Sequence, residues 1–211
     1  MALEGGDAGR AGEPEAPPPG GAVRSESAFV RFGLLFYGGM IAAALLWRMG
    51  FAGESILFRS PAAETAGLAS PLRDAALGLA AGLAVVALSS TLTALTRFGE
   101  RLARGLAEAI GPISVPNALL LATASGLGEE LLFRSALQPR VGLVFASLIF
   151  GAMHFVPRRE MLPWTGFAVA VGFGFGVLFD RTGNVIAPVV AHTVVNAINL
   201  PLLARRYGRA D

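Results

Sequence analysis

Ala75 to Thr96 form 22 consecutive positions without one charged side chain. A helix of that length crosses the ~30 Å hydrocarbon core of a bilayer. Within lipid a backbone must satisfy its own hydrogen bonds, so long continuous runs of this kind specify helices. Five more apolar stretches read the same way: Phe32 to about Trp47, Asn117 to Ala136, Val141 to Phe155, Trp164 to Phe179 and Val185 to Leu203. The fold class is therefore all-α, a polytopic membrane helix bundle of about six transmembrane helices. The composition agrees, with 54% hydrophobic residues, 15% charged and a mean hydropathy of +0.59, which is too apolar for an ordinary soluble domain.

The spans fit one membrane-embedded domain over residues 28–211. Residues 1–27 are rich in Gly, Ala, Pro and Glu, with Pro17-Pro18-Pro19-Gly20-Gly21 among them, and read as a disordered tail. They lack the basic start and short apolar core of a signal peptide, so the first span acts as an uncleaved anchor. After the second span Phe98, Leu102, Leu106 and Ile110 recur every four residues among Arg97, Glu100, Arg101, Arg104 and Glu108. That pattern suits an amphipathic helix on the membrane surface, or an extension of the second span. Gln138-Pro139-Arg140 reads as the turn between the third and fourth spans.

Every basic residue is arginine. The arginines cluster at span ends, nine on the side of Arg31, Arg97, Arg101, Arg104, Arg158, Arg159, Arg205, Arg206 and Arg209 against five on the side of Arg48, Arg59, Arg73, Arg140 and Arg181. The positive-inside rule then places both termini in the cytoplasm. The bilayer is a partner; nucleic acid is not, because no basic face is gathered to meet one. The chain has no cysteine and only two histidines, His154 and His192. Thiol catalysis and disulfides are excluded.

One stretch breaks the apolar rule. Gly126-Leu127-Gly128-Glu129-Glu130-Leu131-Leu132-Phe133-Arg134 puts three ionisable groups in six residues of a span. Each costs roughly 2.5–3.5 kcal/mol at the bilayer centre, so partners are required. Glu130 and Arg134 are four apart and share a helix face, so they can pair. Glu129 is turned about 100° away and is left for other work, and burial suits it to act as a general base. Gly126 and Gly128 leave room for a neighbouring helix or a substrate backbone.

Glu129 and His154 stand about equally far from the centre of the turn at Gln138 to Gly142, roughly 18 Å down each arm of a hairpin. His192 lies roughly 15 Å past the turn at Asp180 to Asn184, on the same side. The three groups converge in depth. His192 and Asn196 are four apart on one helix face, and their N–H groups can donate to one developing oxyanion. Glu129 with His154 can hold and deprotonate a water. A carboxylate and two imidazoles also make a His₂Glu metal set, so a divalent metal such as zinc on Glu129, His154 and His192 remains open. Taken singly, each group has a structural alternative: a Glu–Arg latch, a histidine or Asn196 bonding between helices, and a close helix contact at Gly172-x-x-x-Gly176. Phe133, Phe150 and Phe155 read as packing.

Glu129-Glu130-x-x-x-Arg134, Phe150-x-x-x-His154 and His192-x-x-x-Asn196, in order and on successive spans, resemble the three motifs of the CPBP family, the CAAX-processing and bacteriocin-processing intramembrane proteases, also called Abi. The resemblance covers roughly residues 113–200. It implies a glutamate-dependent endopeptidase in the bilayer. In it Glu129 is the base, His154 assists, His192 and Asn196 stabilise the oxyanion, and Glu130 and Arg134 support them. The expected substrate is a membrane-anchored or hydrophobic peptide. Set beside the resemblance, the six-span length and all-arginine basic content imply a bacterial inner membrane. The metal-free mechanism is favoured, with no cofactor required, since His192 already has an oxyanion role beside Asn196. The rivals are a non-catalytic immunity or scaffold protein and a proton-coupled transporter.

Overall fold

The computed structural model describes residues 19–68 and 70–207. Eight α-helices account for most of them: α1 (Pro19–Leu45), α2 (Pro61–Ala66), α3 (Pro71–Leu95), α4 (Arg97–Ile110), α5 (Val115–Glu130), α6 (Gln138–Met153), α7 (Leu162–Thr182) and α8 (Ile186–Tyr207). π-helical turns extend α1 over Leu46–Phe51 and α5 over Leu131–Leu137. No strand occurs among the described residues; one isolated bridge pairs Phe58 with Asn184. The molecule is an all-α polytopic membrane bundle.

The helix starts follow from sequence chemistry. Ser60 and Ser70 each accept a hydrogen bond from the third residue onward, Ala63 N–H and Arg73 N–H, and each is followed by proline. This is the arrangement that satisfies orphan donors and pre-sets the first turn. The amphipathic segment is its own helix, not an extension of the second span. Thr96 between α3 and α4 is extended (φ −130°, ψ 135°), and its hydroxyl caps Gly99 N–H at 2.9 Å.

Five helical stretches are long and apolar enough to cross a membrane: Glu26–Phe51, Pro71–Leu95, Val115–Met153, Arg159–Thr182 and Ile186–Tyr207. The third has 39 residues, about 58 Å of helix, twice the hydrocarbon core. It contains both the third and the fourth spans expected from sequence, folded on each other at Gly142. There φ is 81° and ψ 165°, a conformation that L side chains avoid. The reversal therefore lies at Gly142 and not at Gln138-Pro139-Arg140. Proline is tolerated in the first turn of a helix, so Gln138 and Pro139 simply open α6. Residues 143–153 give only about 16 Å of helix, so this arm reaches part-way and stops at His154.

Helix α1 begins at Pro19. Residues 19–27, expected to be disordered, are helical; the rest of the expected tail lies outside the described residues. Glu26 is an anchor: its Oε1 accepts from Ser114 N–H and from Asn117 Nδ2, each at 2.7 Å. A carboxylate at the start of α5 satisfies an orphan donor and meets the positive end of the helix dipole.

The opposite end of the bundle is strapped by residues 52–60. Arg48, which the sequence placed as a bracket at the end of the first span, turns inward and is 1% exposed. It donates to the Ser55, Phe58 and Arg59 carbonyls at 2.9–3.1 Å and pairs with Glu54 at 2.6 Å. Glu54 also meets Arg140 at 3.0 Å. The strap joins the turn before α8 through Arg59 N–H to Gly183 O and Val185 N–H to Leu57 O, both at 3.0 Å. Asn184 in that turn donates to Asp74 of α3 at 2.7 Å.

α3 and α8 approach closely because α3 carries Gly78 and Gly82. A Cβ at Gly78 would run into the Ala187 carbonyl, and one at Gly82 would lie 2.7 Å from the Ala191 carbonyl. This is small-residue packing of the kind that membrane helices use. Gly126 plays the same part between α5 and Thr193 of α8, and Gly128 lies against Tyr37 of α1.

Candidate active site

Glu129 and Glu130 are the last α-helical residues of α5, and the π turn that follows carries Arg134. π turns inside long helices are frequent at functional sites. Glu130 and Arg134 are fully buried, with Arg134 Nε on Glu130 Oε2 at 3.1 Å. The other oxygen, Oε1, meets His192 Nδ1 at 2.7 Å. Arg134 Nη1 donates to Gln138 Oε1 at 3.2 Å, and Gln138 Nε2 donates to the Gly176 carbonyl at 3.0 Å. One buried polar chain thus ties α5 and α6 to α8 and α7. Gln138 was missed from sequence, although it continues the spacing of four from Glu130 through Arg134.

Gly172 and Gly176 are more than a helix contact. A Cβ at Gly172 would lie 3.2 Å from Arg134 Nη2 and 2.8 Å from the Phe150 ring, and one at Gly176 would lie 3.2 Å from Nη1. They make the slot in α7 that holds the guanidinium. Phe150 closes the slot, with its ring centroid 5.2 Å from the guanidinium carbon and 4.6 Å from the His154 ring. A cation over an aromatic face is a favourable contact in a desolvated setting. Phe155, by contrast, is exposed.

Glu129 points elsewhere than Glu130. Its Oε2 is 3.7 Å from His154 Nε2 and makes no hydrogen bond within the described residues. His154 caps α6, and its Nδ1 is 2.8 Å from the Phe150 carbonyl. A carbonyl only accepts, so this contact assigns the ring proton to Nδ1 and leaves Nε2 toward Glu129. Trp164 packs edge-on against the imidazole at 5.8 Å.

Asn196 Nδ2 donates to Ser125 Oγ at 2.8 Å, and Ser125 donates to the Ala122 carbonyl at 3.1 Å. Ser125 is the second residue missed from sequence; it precedes Glu129 by four and shares its helix face. Tyr37 of α1 is the third, lining the same cavity as Glu129 with no local pattern to reveal it.

Glu129, His154, His192 and Asn196 all line one cavity of about 560 Å³, whereas Glu130 and Arg134 sit behind its wall. The cavity runs along α8 to Arg205, Arg206 and Tyr207, with α3, α4 and α7 as its other walls. Among the described residues no three His, Asp or Glu side chains are grouped to hold a metal ion. Both Nδ1 atoms are engaged, by Glu130 and by the Phe150 carbonyl. Engagement of Nδ1 leaves each ring its Nε2.

Residues 111–198 match the family model described as Type II CAAX prenyl endopeptidase Rce1-like. This segment is thus similar to an Rce1-like domain. That accords with a CPBP-family protease, and the match spans all three motifs and the helices that carry them. Over 87 residues the chain is 38% identical to a Bacillus subtilis (strain 168) relative named uncharacterized protein YpbD, covering 40% of this chain and 44% of that protein. The chain thus spans under half the length of that curated relative. No solved structure matches.

Proposed function

We propose that the chain is an intramembrane endopeptidase that cleaves a membrane-anchored or hydrophobic peptide with a water activated by Glu129. The observation that carries this reading is the facing of Glu129 Oε2 and His154 Nε2 across 3.7 Å on the wall of one cavity. Both are acceptors, and a gap of that length between polar atoms suits a bridging water. A water there donates one O–H to each, with its oxygen lone pairs free toward a peptide carbonyl. The Rce1-like match supports the same class.

The chemistry follows from the donors present. The water oxygen forms a bond to the carbonyl carbon as its proton passes to Glu129, and the carbonyl electron pair moves onto oxygen. Asn196 spends one amide N–H on Ser125 and has a second for that oxyanion. His192 holds one ring proton toward Glu130. Donation from Nε2 calls for the doubly protonated ring, with Glu130 opposite as its counter-charge. The C–N bond then breaks, and the proton on Glu129 goes to the leaving nitrogen. Arg134 and Gln138 keep Glu130 in place and touch no reacting atom.

Orientation belongs to the same proposal. Glu26, α4 and Tyr207 gather at one end of the bundle, since Glu26 meets the start of α5 and Arg104 stacks on Tyr207 at 5.2 Å. That end carries Arg97, Arg101, Arg104, Arg205 and Arg206, so the positive-inside rule makes it cytoplasmic, in a bacterial inner membrane.

The test is Glu129→Gln, scored for processing of membrane proteins co-expressed in the same cell. General-base loss should lower cleavage by roughly 10²–10⁴-fold while the protein accumulates normally in the membrane. Processing that continues at the original rate would sink the proposal.

A further inference from the structure

The cavity is much longer than the catalytic cluster, and its two sides differ. α4 and α7 present apolar side chains, among them Leu102, Leu106, Phe167 and Val171. The α3 and α8 side adds a line of polar groups beyond Asn196: Asn199 on α8, with Ser89 and Thr93 on α3. Asn199 Nδ2 reaches Ser89 Oγ at 3.4 Å, the long end of hydrogen-bond geometry. Among the described residues this is the only hydrogen bond of the Asn199 carboxamide. One N–H and the carbonyl oxygen remain for an occupant. No step of the hydrolysis uses Asn199.

Apolar walls alone would suit a helix or a hydrocarbon chain, because neither has free backbone polar groups to satisfy. An extended peptide does, and inside a bilayer its N–H and C=O groups need partners. A polar line along one wall, facing apolar walls, is what an extended strand requires. Asn199 follows Asn196 by three residues, about 4.5 Å along α8 and about 60° round it. One residue of an extended strand advances ~3.3 Å. Asn199 therefore falls one to two residues from the scissile carbonyl, toward the Tyr207 end. From His192 to Tyr207 is about 22 Å of helix, room for roughly seven extended residues.

We propose that Asn199, steadied by Ser89, is a backbone-docking subsite that holds the substrate as an unwound, extended strand beside the scissile bond. The occupant's class rests on the peptidase reading. The subsite reads the main chain, so it sets the substrate's conformation more than its sequence. Asn199 is the first polar α8 residue at the cavity beyond the motif, ahead of Arg205, Arg206 and Tyr207; apart from Ser89 and Thr93 of α3, the other groups that the strand meets are side-chain pockets of α4 and α7.

Binding, not cleavage, tests this. The full chain carrying Glu129→Gln is placed in nanodiscs, and a fluorescein-labelled heptapeptide of alternating leucine and alanine is titrated by anisotropy, with empty nanodiscs as the blank. A set of depsipeptides then replaces one amide at a time by an ester, which removes one N–H without touching the protein. The expected result is a loss of about two- to tenfold at one or two adjacent positions. Asn199→Leu, which keeps the bulk and removes the amide, should abolish that penalty there and leave the other positions unchanged. Ser89→Ala should halve the penalty or more, and serves if Asn199→Leu does not accumulate. Uniform ester effects, a penalty that persists in the variants, or no binding of any peptide would overturn the subsite. The peptidase reading is judged separately, by Glu129→Gln processing.

Discussion

Gly172 and Gly174 lie two residues apart on α7, and replacing each by alanine should have opposite results. Both replacements gain helix propensity, about 1 kcal/mol each. At Gly174 a Cβ meets nothing within 4 Å, so Gly174→Ala keeps the whole gain. At Gly172 the Cβ would lie 2.8 Å from Phe150 Cδ1, 3.3 Å from its Cγ and 3.2 Å from Arg134 Nη2. Phe150 cannot swing clear. It is 3% exposed, with Phe133 at 5.2 Å, His154 at 4.6 Å and His192 at 6.0 Å around its ring. Overpacking of this kind costs about 1–3 kcal/mol, which cancels the propensity gain or exceeds it. For a chain of this size 1 kcal/mol moves Tm by about 2–4 °C. Gly174→Ala should therefore melt about 2–4 °C above the unsubstituted protein in detergent, and Gly172→Ala at the same temperature or up to about 8 °C below it. Because the displaced ring carries His154, Gly172→Ala should also lose tenfold or more of any processing activity. Equal melting points for the two variants would refute the slot as the reason for glycine at 172.

Two further outcomes bear on the ends of the bundle. Arg48→Met removes the hub of the 52–60 strap and leaves three carbonyls and Glu54 without it, at about 3 kcal/mol; trypsin should then cut after Arg59 faster than in the parent protein, and an unchanged cutting rate would count against the strap. Glu26→Ala removes the cap on α5 and should cost about 1 kcal/mol, read as a Tm lower by about 2–4 °C; a Tm that stays put would mean that Ser114 N–H finds another acceptor.

The apolar runs were enough to read the class, because lipid allows few backbone solutions, and the amphipathic repeat over 97–110 marked α4 without help. The spacing of four paired Glu130 with Arg134, and the symmetric distances from the turn brought Glu129 to His154. Three things stayed hidden for physical reasons. The turn was legible over Gln138 to Gly142, but not its pivot: that depends on the positive φ of Gly142, and Pro139 was the louder signal, though proline opens a helix as readily as it ends one. Arg48 read as one more arginine at a span end, since nothing local shows that four polar groups of a later loop will surround it. The bond from Glu130 to His192 joins residues 62 apart in sequence, and only the packing of α5 on α8 through Gly126 creates it.

That bond changes how the charged stretch is tolerated. Taken as three separate ions, Glu129, Glu130 and Arg134 would be a heavy cost in lipid. In the bundle Glu130 and Arg134 are members of a chain that begins at His192 and ends on the Gly176 carbonyl, so their charges are opposed and both Glu130 oxygens are engaged. Such a chain is worth little as raw stability, because desolvation offsets the attraction. What it supplies is position. It sets which ring nitrogen of His192 faces the cavity and where α7 and α8 stand relative to α5. Glu129 is the member left out: it lies on the cavity wall with one oxygen unpartnered. A purely structural latch has no need of that adjacent, unpaired carboxylate. A buried polar frame with one reactive group beside it is the arrangement that an enzyme site in a membrane calls for.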